Sequence, residues 1–539
     1  MASSSAAPAP APAAEESSSP PRSALVLLAL VTGAIVANIN LSIANVALPT
    51  IGADLGATQD QLTQVADAFA LGLAATVLYL GSIGDRYGRK LLFVLGAILT
   101  IPTAMLAAWA PNPEVLILAR FASGVAAALL FPTTLSLISA LYRGNARVKA
   151  IALWSGLGAG VAAIAPVLGG WMLQSFWWGS VFLITLPLVV VALLVGLWVL
   201  PWHASEEVFP VDHIGGVLSV IGVGGLVITI QKVDNGITAS WVASVVISLL
   251  AIAAFLWRQT KAPRPLVDLK LAKARTFWVA FVAGAVTFGS LIGVMFVGQQ
   301  FTQNVLAYDP LKAAAVVVPA AVFMALMGQV AGRLVTSRGS RFSFGIGLVI
   351  VAIAFVTILA TWRGDANIAW VLIAYSLIGA GVGLCVTPAS RSLMSSVPPV
   401  RGGMGSAFLD LTRDFGGAIM QAVMGALLAG AYAYRIAGDL AGSPEASKVS
   451  QETADALSSS FQSAEQVAQQ YPQYATQITS AASDAFTSGM NAAVLVALAM
   501  TLIGLALVLF VYPRKAAEEA YYAEVAATNP DPVDAGASA

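Results

Sequence analysis

The chain has 539 residues, of which 58% are hydrophobic and only 10% charged, against about 25% charged in an average soluble domain. With a mean hydropathy of +0.83 over 55.4 kDa, so few charges cannot coat a water-soluble globule, and the chain is expected to be a multi-pass membrane protein. Lys+Arg and Asp+Glu number 27 each, and there are one cysteine (Cys385) and two histidines (His203, His213). This excludes a basic nucleic-acid binder, an internal disulfide and a thiolate metal cluster, and argues against a zinc enzyme. No cofactor, no metal and no nucleic acid are expected.

Residues 1–23, rich in Ala, Pro and Ser, read as a disordered cytoplasmic tail. The apolar run that follows, Ala24 to Leu48, is too long for a signal-peptide core and ends without a cleavage site, so it is taken as the first span. A bilayer core about 30 Å thick takes about 20 apolar residues per helix. Such runs fall at 24–48, 60–82, 91–110, 113–142, 147–175, 178–200, 214–231, 239–258, 276–307, 311–336, 342–362, 367–396, 403–436 and 488–512. The expected architecture is therefore all-α, with fourteen transmembrane helices. A six-helix half (24–200), two extra linker helices (201–258), a basic cytoplasmic connector (259–275), a second six-helix half (276–512) and a cytoplasmic tail (513–539) follow in order.

Nineteen of the 27 Lys and Arg residues fall in segments that face inward if the N-terminus is cytoplasmic, and five in outer ones. By the positive-inside rule both termini are cytoplasmic, and the cell (inner or cytoplasmic) membrane is the expected location. The outer segment 438–487 is long and acidic. It reads either as two short helices broken at Pro472, a hairpin over the outer mouth and a surface for an envelope partner, or as a mobile loop. Nine tryptophans, Trp362 among them, sit near span ends, where an aromatic belt is expected.

The two halves carry an internal repeat. Gly81-Ser-Ile-Gly-Asp-Arg-Tyr-Gly-Arg-Lys90 returns as Gly332-Arg-Leu-Val-Thr-Ser-Arg-Gly-Ser-Arg341, with Gly81, Gly88 and Lys90 matched 251 positions later by Gly332, Gly339 and Arg341. The first copy resembles the signature loop of the major facilitator superfamily. The span count resembles that family's fourteen-helix drug:proton antiporter branch, the QacA- and LfrA-type multidrug efflux transporters. Further matches are Asn45-Val-Ala-Leu-Pro49, closing the first span, Arg120-Phe-Ala-Ser-Gly124 in the fourth, Pro265-Leu-Val-Asp-Leu269 before the ninth and Arg413-Asp-Phe-Gly-Gly417 in the thirteenth.

The resemblance implies that Gly81, Asp85, Arg86, Gly88, Arg89 and Lys90 form a gating loop, Asp85 being held by Arg86 and Arg89 until the halves rock. The bland alternative is a basic inner loop that only sets topology. Gly156, Gly158 and Gly160, followed by Ala165-Pro166-Val-Leu-Gly169-Gly170, resemble the family's antiporter motif, with Ala165 where a glycine is usual. Physically, Gly156, Gly160, Gly169 and Gly170 around Pro166 permit close helix packing. The branch usually has an aspartate where this chain has Asn40, while the arginine of the fourth span, Arg120, is kept.

An ionisable group in a span costs about 2.5–3.5 kcal/mol on insertion scales, so each is a functional candidate. Asp67 is expected at a depth similar to Arg120 and Asn40, as counter-ion of Arg120 and recogniser of positive charge, or else as a solvated acid at the mouth. Asp410 and Asp414 are four apart on one helix face beside Arg413. Two carboxylates so close resist ionising together, which suits a proton carrier; a static pair with Arg413 is the alternative.

The sequence thus points to a monomeric secondary transporter that exports small amphipathic, cationic compounds in exchange for protons, and not to an enzyme. A facilitator of a lipid or metabolite without tight coupling, and a non-transporting scaffold using 438–487, are the other readings.

Overall fold

The computed structural model describes residues 19–57, 59–202, 211–231, 238–263, 265–308, 310–364, 366–398, 402–442, 449–459 and 461–527. The described residues form helices and no strands. Apolar solvent leaves only helices or closed barrels able to satisfy the backbone, and this composition takes the first route.

The first half consists of α1 (Ser23–Leu55), α2 (Gln59–Tyr87), α3 (Arg89–Ala108), α4 (Pro113–Leu141), α5 (Gly144–Ser175) and a last helix in two pieces, α6 (Ser180–Leu183) and α7 (Leu186–Val199). Two helices follow, α8 (His213–Gln231) and α9 (Ala239–Lys261), then the short α10 (Leu269–Ala272). The second half holds α11 (Arg275–Gln300), which runs into a π-helical turn (Phe301–Val305), α12 (Pro310–Ala315), α13 (Val318–Arg338), α14 (Ser340–Thr361), α15 (Ile368–Ser395) and α16 (Gly402–Ala441). It ends with α17 (Gln451–Ser459), α18 (Phe461–Gln470), a 3-10 turn (Pro472–Tyr474) and α19 (Ala475–Phe510), after which α20 (Lys515–Ala527) follows.

Packing repeats between the halves: α2 on α4, α1 on α5, α3 on α4 and α7 in the first answer to α13 on α15, α11 on α16, α14 on α15 and α19 in the second. The halves meet crosswise, α5 on α13 and α2 on α16, while α8 and α9 pair with each other and α8 lies on α2. Tyr79 of α2 hydrogen-bonds His213 of α8 at 2.7 Å, and Arg258 pairs with Asp212 at 3.1 Å, fixing the extra pair at its base.

The distribution of the core reveals the conformational state. At the signature-loop end one buried cluster joins both halves, with Leu137, Ile138 and Tyr142 of the first meeting Met394, Val397 and Met404 of the second. At the opposite end the core divides into two clusters, one confined to the first half around Ile43, Leu116 and Phe182, the other to the second around Phe301, Phe355 and Met490. The structure is sealed at the signature-loop end.

Twelve helices among the described residues are long and apolar enough to cross a bilayer; α5 and α8 fall outside that set, the apolar stretch of α8 being His213–Leu226, so the expected fourteen spans are not confirmed. Other expectations need correction. The Asn45–Pro49 segment does not close the first helix, which runs on to Leu55. The chain does break at Pro472, where a 3-10 turn (Pro472–Tyr474) separates α18, ending at Gln470, from α19; the helix after the break is not short, however, for α19 begins 13 residues before the expected span at 488 and runs to Phe510. The amphipathic faces of α17 and α18 pack on extensions of α16 and α19, through Leu457, Phe461 and Val467 against Tyr432, Ile436 and Phe486. Trp362 belongs to no aromatic belt; it is fully buried, stacked on Phe301 at 5.0 Å.

Within the expected C-terminal tail, Lys515–Ala527 form a packed helix. In α20, Glu518 is fully buried and accepts hydrogen bonds from the backbone N–H (3.1 Å) and hydroxyl of Ser340 and from the Tyr522 hydroxyl (3.2 Å). Burial, and then the nearby Tyr512 and Glu518, push the Tyr522 hydroxyl well above its ordinary pKa, so it remains a donor.

Candidate functional site

Arg120 of α4 is fully buried. Its Nη1 donates to the backbone carbonyl of Asn40 at 2.9 Å and its Nε to that of Val65 at 3.4 Å, while the guanidinium faces Phe69 at 4.9 Å and Phe182 at 5.6 Å. Close approach of α2 and α4 makes this possible. A methyl at Gly72 would strike the Phe121 carbonyl, and one at Gly124 the Phe69 carbonyl. The Asn40 side chain is turned elsewhere, donating to the Val36 carbonyl (3.0 Å) and Thr185 Oγ1 (3.4 Å). The link between α1 and Arg120 therefore runs through the main chain of residue 40. Arg120 Nη2 has no hydrogen-bond partner among the described residues. Asp67 lies in α2 two residues beyond Val65, but its side chain is outside the described set.

The second cluster lies where the halves meet. Asp410 of α16 is buried, 3% exposed, and the side chain of Asp414 is 7% exposed. Arg413 Nε donates to Asp414 Oδ1 at 3.2 Å, and its Nη1 reaches across to Asn38 Oδ1 of α1 at 3.3 Å. The guanidinium lies over the ring of Phe131 in α4 at 4.8 Å. Phe131 leans on Trp154 of α5 (5.2 Å), whose indole N–H donates to Thr134 Oγ1 at 2.8 Å. One Oδ2 on each aspartate has no hydrogen-bond partner among the described residues. Buried polar atoms are normally paired, so two unpaired carboxylate oxygens beside one guanidinium set this cluster apart. The expectation from spacing named the three α16 residues; Asn38 and Phe131, from the other half, complete the cluster.

The repeated loops are built alike and held differently. Gly88 (φ 111°) and Gly339 (φ 90°) each precede a helix with a backbone that side-chain-bearing residues rarely adopt. Lys90 donates to the carbonyls of Leu197 (2.8 Å) and Leu200 (2.6 Å) at the end of α7, and its counterpart Arg341 donates to the carbonyl of Leu509 at the end of α19. Each cation thus caps the last helix of its own half, where the helix dipole favours positive charge. Asp85 and Arg89 form a buried ion pair at 3.0 Å, and Gly402, the first residue of α16, packs so closely that a methyl there would meet Arg89 and Ser136. Arg86 lies over the Tyr87 ring at 5.5 Å, and Gly81 is buried in α2.

The family model described as Major Facilitator Superfamily matches residues 30–421. The chain belongs to that superfamily. Among relatives, the multidrug efflux pump LfrA of Mycolicibacterium smegmatis is 31% identical over 412 residues, covering 75% of this chain and 81% of LfrA. The multidrug resistance protein Stp of Mycobacterium tuberculosis is 28% identical over 407 residues, 74% of this chain and 75% of Stp. The methyl viologen resistance protein SmvA of Salmonella typhimurium is 28% identical over 410 residues, 74% of this chain and 81% of SmvA.

In this facilitator the small residues of α5 serve the crossing between halves. Gly156 lies against Gly328 and the Ala325 carbonyl of α13, and Gly160 against Ala325 and the Ala321 carbonyl. Gly169 faces Ile43 of α1, Gly170 is half-buried beside it, and Pro166 sits inside α5 without ending it. Gln299 and Gln300, polar residues in an apolar span, spend their amides on the carbonyls of Ala313 (3.0 Å) and Phe296 (3.4 Å).

Proposed function

We propose that this major facilitator exports small amphipathic cationic compounds in exchange for protons, by alternating access of a site between its halves. The observation that carries the reading is the Asp410–Arg413–Asp414 cluster. With both acids ionised it sums to one net negative charge, and it is tied to the first half through Asn38 and Phe131. One proton or one monovalent cation restores neutrality there, and a site that holds either but not both couples their movements in opposite directions. The names of LfrA, Stp and SmvA support drug export as the activity.

Asn40 cannot titrate, and its side chain is committed to Val36 and Thr185, so the coupling proton is assigned to the α16 acids. Asp67 would recognise positive charge near Arg120 at the end opposite the signature loop. The Asp85–Arg89 pair would stabilise the state sealed at the signature-loop end. The chain would cross the cytoplasmic membrane fourteen times, α5 and α8 included, act as a monomer and keep both termini in the cytoplasm.

In proteoliposomes an imposed pH gradient should drive substrate uptake by the wild-type protein. Asp410→Asn or Asp414→Asn should abolish that drive while downhill exchange survives. If the single and double variants still concentrate substrate, the α16 proton site is wrong. A wild-type protein blind to the gradient would replace exchange by facilitated passage.

A further inference from the structure

The guanidinium of Arg413 is held as a bound cation would be. An aromatic face lies 4.8 Å away on Phe131, an amide oxygen 3.3 Å away on Asn38 and a carboxylate 3.2 Å away on Asp414. The three contacts come from three helices and both halves. Phe131 is rigidly backed: Trp154 leans on it with an interplanar angle of 32°, and Trp154 is itself fixed by its bond to Thr134. Asn38 is oriented by its own amide, which donates to the Ala34 carbonyl at 2.8 Å, leaving its oxygen for a donor. Asp410 and Asp414, each more than nine-tenths buried, add two carboxylate oxygens without hydrogen-bond partners among the described residues.

We infer that Phe131, Asn38 and Asp414 form the recognition subsite for a planar, delocalised organic cation of the guanidinium or amidinium type, and that Arg413 occupies it as a tethered surrogate until substrate displaces it. The inference rests on the proposed export of cations and specifies which cations and where. A flat cation with in-plane N–H donors can stack on Phe131 while donating to Asn38 and Asp414, as the guanidinium does. A tetrahedral ammonium can use the ring's negative face but has no matching in-plane donors. Displaced from Asp414, Arg413 remains near Asp410, so the same event that admits substrate changes which acid is neutralised. A resident cation also lowers apparent affinity, because every incoming ligand must compete with it.

Equilibrium dialysis of the purified full chain, using phenylguanidinium and tetrapropylammonium as probes, tests the assignment. Wild type should bind phenylguanidinium more tightly. Asn38→Leu, which removes the in-plane acceptor, should weaken that binding about tenfold and leave tetrapropylammonium within about threefold, whereas Phe131→Leu should weaken both and Phe131→Tyr preserve both. Arg413→Gln, which removes the resident cation, should bind phenylguanidinium more tightly than wild type. Equal losses for both probes in Asn38→Leu, or weaker phenylguanidinium binding in Arg413→Gln, would overturn the subsite. Should neither probe bind wild type or any variant while a neutral amphipathic compound is exported, the cationic-substrate reading itself fails.

Discussion

Between α2 and α3 the acid that holds the loop comes from within it, as Asp85 pairs with Arg89. Between α13 and α14 the matching positions are Thr336 and Ser340, and the acid arrives from α20, where Glu518 receives the N–H and hydroxyl of Ser340 while Lys515 donates to the Thr336 carbonyl at 2.8 Å. The difference extends to what each acid touches. Arg89 abuts Gly402 at the start of α16, so the first loop is fastened at the boundary between halves. Glu518, Ser340, Tyr512 and Ser392 all belong to the second half or its C-terminal helix; Ser392 and Tyr512 are 2.7 Å apart. One repeat unit has thus become an inter-half fastening and the other an internal brace.

The sharpest way to break this comparison is Asp85→Asn. Removing one charge of a buried pair costs about 3 kcal/mol, and here the cost falls on the sealed state. Transport should drop strongly while membrane insertion stays normal, and unchanged transport by a well-inserted protein would remove the fastening role. Glu518→Ala should be milder, about 2 kcal/mol for the hydrogen bonds to a charged group that it deletes. It should lower the unfolding midpoint in detergent and leave turnover per folded molecule unchanged; a turnover defect would show that the second loop also acts between halves. The smallest effects belong to the glycines. Gly88→Ala and Gly339→Ala should each lose about 1 kcal/mol through backbone strain. Gly339→Ala should lose more, because its new methyl would also meet the Cβ of Lys515. Thermal unfolding of the two variants side by side measures the order.

The all-helical, two-half build was legible because apolar runs and the spaced glycines of the repeat encode it locally. Lys90 and Arg341 could be matched by offset alone, although their use as caps of α7 and α19 depends on helices about 110 and 168 residues away. Asp410, Arg413 and Asp414 stood out because charge is rare in a span. Asn38 and Phe131 gave no such signal: Phe131 is one apolar residue in an apolar helix, and the Asn38–Arg413 contact joins positions 375 apart whose helical phases the sequence does not relate. Asn40 stands out because it replaces a family aspartate, yet Asn38, two residues before it, makes the inter-half contact. The Ala- and Glu-rich stretch of α20 reads as a solvated tail, since nothing local announces that Ser340, 178 residues earlier, will bury Glu518. Pro49 misled for the same reason, as helix ends in a bundle are set by packing as much as by proline, whereas Pro472 does mark a break.

The charge sum of the α16 cluster has an electrical consequence. Two carboxylates and one guanidinium leave a single negative charge to be filled. Under the proposed exchange, a monovalent cation leaving for one entering proton moves no net charge through the bilayer, and its export draws on the pH difference alone. A divalent cation carried out for one proton moves one positive charge, work that a membrane potential negative inside opposes by about 2.3 kcal/mol per 100 mV. The same three side chains would then make export of one substrate class indifferent to voltage and export of the other limited by it.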